Sequence, residues 1–164
     1  MRYHQPYRGI AGTMIGIPLF FMLIAALYGP RWVIIDSLIF YVVVFSYQLL
    51  VTDRRVGALL WVSASIIGIA LGNLIADPLF DHGLAAFLRH IMAFEAPYNT
   101  IGPIVIRWVY GGIVGFLVGL LQARMLSTAS LRRAWILATI FAFNSGYALD
   151  IGVVYYTHGM FQAP

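Results

Sequence analysis

The chain has 164 residues, of which 62% are hydrophobic and 10% are charged, and its mean hydropathy is +0.87. Because about a quarter of the residues in a soluble domain are charged, this composition excludes an ordinary soluble fold and indicates a polytopic membrane protein. The net charge of +4 comes from arginines that cluster at the ends of apolar runs. Arginines in such places are typical of topology signals and lipid headgroup contacts, so we expect no nucleic-acid partner.

Two residue types are missing from the sequence, and each absence excludes a class of chemistry. Without cysteine, the chain forms no disulfide, thiolate metal site, iron–sulfur cluster or covalent c-type haem. Without lysine, it cannot hold retinal or pyridoxal phosphate as a Schiff base. The sequence also lacks a glycine-rich phosphate loop and the HExxH and GxSxG motifs, so no catalytic constellation is recognisable and we favour a non-catalytic protein.

Five apolar segments are each long enough to cross a bilayer core of roughly 30 Å, which requires about 20 helical residues. They are residues 10–28, 33–51, 57–75, 103–121 and 134–156. The first run exceeds a typical signal-peptide core and lacks a convincing cleavage site, so we expect it to be retained as a span. The sequence therefore predicts an all-α integral membrane protein that forms a single polytopic domain over residues 1–164.

The arginines predict the orientation of these spans, because cytoplasmic connections of membrane proteins are enriched in basic residues. With a cytoplasmic N-terminus, the inner side carries Arg2, Arg8, Arg54, Arg55, Arg124, Arg132 and Arg133. The outer side then carries only Arg31 and Arg89, with Arg107 just inside the fourth span. We therefore expect the C-terminus to lie outside, in a prokaryotic plasma membrane.

The long outer connection between the third and fourth spans predicts a short amphipathic helix over residues 81–94. Its apolar residues share one arc of a helical wheel, and Arg89 and His90 lie on the opposite arc. A helix of this length reaches only about 20 Å, which is too short to cross the bilayer. We expect it to lie on the outer interface or to cover the bundle as a lid, with a re-entrant hairpin as the lesser alternative.

Small residues recur at every fourth position in several spans and predict close helix packing. Lipid is as apolar as leucine, so membrane helices associate through such smooth faces. The candidate packing residues are Gly12, Gly16, Gly68, Gly72, Gly111, Gly115 and Gly119. Packing within one bundle is the favoured interpretation, and docking of a partner subunit or a flat cofactor is the alternative.

Three ionisable residues are predicted at similar depth in the outer half of the bundle: Asp36, Arg107 and Asp150. Because charges are costly in a low-dielectric interior, we expect Arg107 and Asp150 to pair, with Asp36 as a second carboxylate. A structural ion pair is the favoured interpretation, and an outward-facing polar binding site is the alternative. Asn144, deeper in the fifth span, is assigned to an interhelical hydrogen bond or to the same binding site.

Other polar and aromatic residues are assigned by their position along the spans. Asn73 and Asp77 are expected near the outer cluster, whereas Gln122 is assigned to the inner interface. Aromatic residues near the span ends predict two interfacial belts. Their members include Trp108 and Tyr110 on the outer side and Trp61 and Trp135 on the inner side.

The four histidines do not have the spacing of a metal or haem site. None lies within a predicted span, where haem bound between helices would need its axial ligands. His82 and His90 are about 12 Å apart on a helix, which is too far for both to bind one ion. We expect no metal site and assign no cofactor, and the candidate ligands are lipid, quinone or pigment.

Three functions are compatible with these features. The leading hypothesis is an accessory or structural subunit of a larger membrane complex, with the lipid bilayer and other membrane subunits as its partners. The first alternative is a small-solute-binding protein or transporter with an outward-facing polar site. The weaker alternative is a lipid-modifying enzyme that uses Asp150 as acid or base, with His90 or His158 assisting.

Overall fold

The computed structural model describes residues 5–28, 57–79 and 101–157. These ranges contain four α-helices and no strand. The helices are α1 (Gln5–Tyr28), α2 (Ala58–Pro78), α3 (Ile101–Ala123) and α4 (Ala129–Thr157). The all-α prediction is confirmed for this part of the chain. The predicted span 33–51, with Asp36, and the amphipathic helix 81–94, with Arg89 and His90, lie outside the described residues.

Two of the four helices are long and apolar enough to cross a membrane. They contribute Leu59–Pro78 and Ile104–Ala123, each of 20 residues with a mean hydropathy of 2.0. The comparable apolar stretch of α1, Gly9–Leu23, is shorter. The prediction of five membrane-spanning helices is therefore not supported by the described helices, of which two meet the requirement for a span.

The helices pack side by side in the order α2, α3, α4 and α1, since the main contacts join α3 to α4, α4 to α1 and α2 to α3. A short turn after Ala123 makes α3 and α4 antiparallel. Ile10 packs near Trp135, and Phe21 lies against Gly146, so α1 runs parallel to α4. Helix α2 is antiparallel to α3. Ser65, in the first half of α2, is hydrogen-bonded to Gln122 near the end of α3, whereas Asn73, in the second half of α2, is hydrogen-bonded to Tyr110 in the first half of α3. Helices α1, α2 and α4 therefore share one direction.

Glycines bring the helix backbones into direct contact. A Cβ atom on Gly68 would lie 2.7 Å from the Cα atom of Val118, and one on Gly72 would lie 2.8 Å from the Cα atom of Val114. Real Cβ contacts are essentially never this short, so α2 and α3 approach closely only because these positions lack a side chain. Gly111, Gly115 and Gly119 make the matching contacts between α3 and α4. Gly12 and Gly16 are half-buried on α1.

The bundle has polar groups in its interior and large apolar groups on its surface. The buried polar residues are Thr13, Ser65, Gln122, Thr139 and Asn144. The large apolar residues that are more than half exposed are Ile15, Leu19, Leu23, Leu59, Leu60, Ile67, Leu74, Leu79, Leu137 and Phe141. Since soluble proteins rarely expose extended apolar surface, this distribution is typical of a bundle surrounded by an apolar medium.

Helix α4 begins with a side-chain cap. The backbone N–H of Leu131 donates a hydrogen bond to Thr128 Oγ1 at 3.3 Å, and that of Arg132 donates to a backbone oxygen of Thr128 at 3.0 Å. Arg132 Nε–H also donates to the carbonyl oxygen of Leu126 at 2.8 Å. The cap and the arginine together fix the turn between α3 and α4.

Replacing Thr128 by alanine is expected to lower the free energy of unfolding by about 1 kcal/mol, because the first turn of α4 loses its side-chain acceptor. Denaturant titration of the protein in detergent micelles would measure the change. Ser127→Ala is the matched control, since Ser127 is exposed beside the cap and should change stability by less than about 0.5 kcal/mol. Equal effects of the two substitutions would contradict a specific role for the cap.

Candidate functional site

Three of the predicted site residues lie on α3 and α4, Arg107 and Asp150 toward the end opposite the α3–α4 turn and Asn144 near the middle of the bundle. Arg107 lies on α3, and Asn144 and Asp150 lie on α4. Asn144, Tyr147 and Asp150 follow one another at three-residue spacing, which places them along one side of the helix. Asp36 falls in the part of the chain that the structure does not describe. We call Asn73, Asp77, Arg107, Tyr110, Tyr147 and Asp150 the Tyr110 cluster.

Asp150 occupies an unusual position in this cluster. Its side chain is partly buried and interacts electrostatically with Arg107. Its Oδ1 atom is buried and accepts no hydrogen bond. Arg107 is exposed, and within residues 101–157 it forms no direct ion pair with Asp150. Within the described residues, the direct ion pair favoured from the sequence is therefore not formed, and Asp150 Oδ1 has no hydrogen-bond donor.

Asn144 is buried at the α3–α4 contact, with 7% of its surface exposed. A Cβ atom on Gly112 would lie 2.6 Å from Asn144 Oδ1, so the glycine provides the space that the amide fills. Asn144 Oδ1 nevertheless has no hydrogen-bond donor. This acceptor therefore does not make the interhelical hydrogen bond that was expected from the sequence.

Tyr110 joins the three helices of the cluster. Its hydroxyl group lies 2.9 Å from Asn73 Oδ1 and 2.8 Å from Asp77 Oδ1 on α2, so its single proton serves two acceptors. Its ring centroid is 5.4 Å from that of Tyr147 on α4 and 5.6 Å from the guanidinium carbon of Arg107. The sequence placed Tyr110 in an aromatic belt. The sequence shows that Tyr110 follows Arg107 by three residues. It does not show the register of α2 against α3, which places the Tyr110 hydroxyl next to Asn73 and Asp77.

Replacing Tyr110 by phenylalanine is expected to lower the free energy of unfolding by about 1.5 kcal/mol, because a hydrogen bond to a charged acceptor is lost while the ring contacts remain. Thermal unfolding followed by circular dichroism would measure the effect. Trp108→Phe on the same helix is the control, because half of the Trp108 surface is exposed. If both substitutions had the same small effect, the hydroxyl would contribute nothing to the packing of α2 against α3.

A second polar cluster lies near the α3–α4 turn and consists of Trp61, Ser65, Gln122 and Trp135. Trp135 Nε1–H donates to Gln122 Oε1 at 2.9 Å, and Gln122 Nε2–H donates to Ser65 Oγ at 2.8 Å. Ser65 Oγ–H in turn donates to the carbonyl oxygen of Trp61 at 2.8 Å. This chain of hydrogen bonds crosses α4, α3 and α2 in order, so we call it the Gln122 network.

The Gln122 network changes the role assigned to two tryptophans from the sequence. Gln122 and Trp61 are fully buried and Trp135 is 1% exposed, so all three side chains face the bundle interior and neither tryptophan can anchor in lipid headgroups. The two indole rings pack edge to face, with centroids 5.2 Å apart and planes at 69°. Trp61 Nε1 is buried without a hydrogen-bond acceptor. These residues form a packed interior layer and not an aromatic belt.

Neither cluster has the composition of a metal site. Among the described residues, no group of three or more histidine, cysteine or acidic side chains lies together. Comparisons with protein-family models, with curated proteins and with solved structures give no match to this chain. The geometry of the two clusters and of the apolar surface is therefore the basis for assigning a function.

Proposed function

We propose that this protein is a non-catalytic integral membrane protein that crosses the bilayer five times and acts as an accessory or structural subunit of a larger membrane complex. The observation that carries the proposal is the reversal of polarity between interior and surface. Gln122, Ser65 and Asn144 are buried, whereas leucine and isoleucine side chains are exposed on α1, α2 and α4. Such a surface is stable in a bilayer and would aggregate in water.

The directions of the helices support five crossings. Because α1 and α2 run the same way, a chain in which both are spans must cross the bilayer once more between them. The apolar residues 33–51 have the length for this crossing. Helices α2 and α3 run in opposite directions, which requires no crossing between them and agrees with an interfacial position for residues 81–94.

The exposed arginines support the orientation of the bundle. Arg124, Arg132 and Arg133 are exposed around the α3–α4 turn, and the positive-inside rule assigns a basic turn of this kind to the cytoplasmic side. The Tyr110 cluster then lies toward the outer side. In this orientation both the N-terminus and the turn are inside, and the C-terminus is outside.

Single cysteines would test this topology directly, because the natural chain contains none. Ser127→Cys places a thiol at the turn, and Gln162→Cys places one in the C-terminal tail. A membrane-impermeant maleimide added to intact cells should label the Gln162 variant, and should label the Ser127 variant only after permeabilisation. Labelling of both variants in intact cells would contradict the proposed topology.

The subunit role is supported by helix α2. Its buried face contacts α3 through Gly68 and Gly72, and its opposite face exposes a row of aliphatic side chains. Leu59, Leu74 and Ile67 on this row are 80%, 71% and 52% exposed. The row contains no charged residue between its ends, so it suits an apolar helix of another membrane subunit as well as lipid.

A photo-reactive amino acid at position 74 would test the subunit role in native membranes. We expect it to crosslink to one defined membrane protein, whereas the same probe at Leu137, which is 66% exposed on α4, should not. Native mass spectrometry of protein extracted in mild detergent should then release the same partner. A lone chain in the spectrum, with equal lipid crosslinking at both positions, would contradict the proposed role.

A further inference from the structure

The Tyr110 cluster contains a carboxylate that forms no direct ion pair with the described residues. Asp150 Oδ1 is buried and accepts no hydrogen bond, while the side chain remains partly exposed. A buried acceptor without a donor is costly, and an anion in such a position requires a compensating positive charge. Because the side chain is partly exposed, a ligand on its exposed side can place a positive charge beside the carboxylate and donate hydrogen bonds to its other oxygen.

Arg107 provides the opposite charge at the same end of the bundle. Its guanidinium group is exposed over the ring of Tyr110 at 5.6 Å and interacts electrostatically with Asp150. An arginine held against an aromatic ring presents its remaining N–H groups to phosphate or carboxylate oxygens. A basic and an acidic group at neighbouring positions therefore match a ligand that carries both charges.

An apolar surface of α3 adjoins Arg107. Trp108, the residue after Arg107, is 50% exposed, and Phe116, about two turns further toward the bilayer centre on the same side of the helix, is 45% exposed. In the orientation proposed above, this end of the bundle lies at the level of the lipid headgroups, where phosphate is abundant and acyl chains extend toward the bilayer centre. The apolar surface favours a phospholipid over a free zwitterion.

We propose that the Tyr110 cluster binds one phospholipid with a primary-amine headgroup, such as phosphatidylethanolamine. Arg107 binds the phosphate, Asp150 accepts hydrogen bonds from the ammonium group, and the acyl chains lie along the exposed surface of α3. This inference rests on the membrane location in the proposed function.

A series of headgroups that differ only in amine methylation would test the proposal on the wild-type protein. Phosphatidylethanolamine, its N-methyl and N,N-dimethyl derivatives and phosphatidylcholine all carry one positive charge and one phosphate, but the number of N–H donors falls to zero. Native mass spectrometry of protein exchanged into each lipid should show retention that falls along this series, with about a tenfold difference between its ends, as expected for the loss of a charge-assisted hydrogen bond. Equal retention of all four lipids would overturn the proposal.

Three variants would assign the contacts. Asp150→Leu, which suits an apolar environment, should abolish the preference for phosphatidylethanolamine over phosphatidylcholine. Arg107→Gln should weaken retention of both lipids by about tenfold, because the phosphate contact is common to them. Arg133→Gln removes an exposed arginine at the other end of the bundle and should leave the preference unchanged. If the preference persists in Asp150→Leu, the proposal is wrong; if that variant does not fold, the methylation series still decides.

The same measurements separate this inference from the membrane location on which it rests. Retention of every phospholipid without preference would leave the membrane location intact and reject the aminophospholipid site. Failure to retain any phospholipid, together with extraction of the protein by alkaline carbonate, would reject both. Glycerophosphoethanolamine, the soluble headgroup, should compete only weakly, and competition equal to that of the intact lipid would overturn the assignment of a lipid.

Discussion

Gly111→Ala is expected to lower the free energy of unfolding by about 3 kcal/mol, the largest effect that we expect of a glycine-to-alanine substitution in the described helices. The added Cβ atom would lie 2.5 Å from the carbonyl oxygen of Phe143 and 2.8 Å from its carbonyl carbon. Both are backbone atoms of α4, so no side-chain rotation can relieve the contact. The helices must separate, and the contacts of Gly115 and Gly119 with α4 weaken at the same time.

Two other glycines provide comparisons for the loss of stability expected of Gly111→Ala. A Cβ atom on Gly119 would lie 3.1 Å from the Cα atom of Ile136, and one on Gly152 would have no atom within 4 Å. We therefore expect Gly119→Ala to be less destabilising than Gly111→Ala, and Gly152→Ala to be neutral or slightly stabilising because alanine favours the helix. Denaturant titration followed by tryptophan fluorescence would rank the three variants. An equal loss of stability in all three would show that close helix contact is not what these glycines provide.

The helical segments were largely predictable because their signals are local. Apolar runs of spanning length gave positions for α1, α3 and α4 that fall within the observed helices, and α2 begins one residue after its predicted start. Glycines at four-residue spacing, such as Gly68 and Gly72, form a single smooth stripe on any helix. The sequence therefore identified which face of a helix allows close approach, but not which neighbour occupies it.

The outer polar residues were predicted only in part. Counting from the span ends placed Arg107 and Asp150 at similar depth, and the antiparallel packing of α3 and α4 places both toward the same end of the bundle. The contact of Tyr110 with Asn73 and Asp77 depends on the register between α2 and α3. That register is set by how Gly68 packs against α3, which no property of either helix alone determines.

The Gln122 network was missed for a related reason. A glutamine or a tryptophan near the end of an apolar run is usual at a membrane interface, and Gln122, Trp61 and Trp135 all occupy such positions in the sequence. Their burial depends on α2, α3 and α4 meeting at one level, so that each polar atom finds its partner on another helix. Only the three-dimensional arrangement distinguishes an interior layer from an interfacial belt.

Gln122→Leu is expected to lower the free energy of unfolding by about 2 kcal/mol, although leucine is apolar and similar in size. The substitution removes the acceptor of Trp135 Nε1–H and the donor to Ser65 Oγ, and both partners are buried. Ser65 retains its bond to the Trp61 carbonyl oxygen. The indole N–H of Trp135 has no such second partner in the network, so its desolvation is the main cost. Reversible denaturation in detergent micelles would measure the loss.

A comparison of two serines on α2 would show that the hydrogen bonds themselves are responsible. Ser65 belongs to the network, whereas Ser63 is half-buried on the same helix outside it. We expect Ser65→Ala to be destabilising and Ser63→Ala to be nearly neutral. In a double-mutant cycle, Gln122→Leu and Trp135→Phe should be less than additive by about 1 kcal/mol, because either one breaks the same bond. Strict additivity would mean that the two side chains act independently. Helices α3 and α4 would then be held together at this level by apolar packing, including the close approach of Gly119 to Ile136.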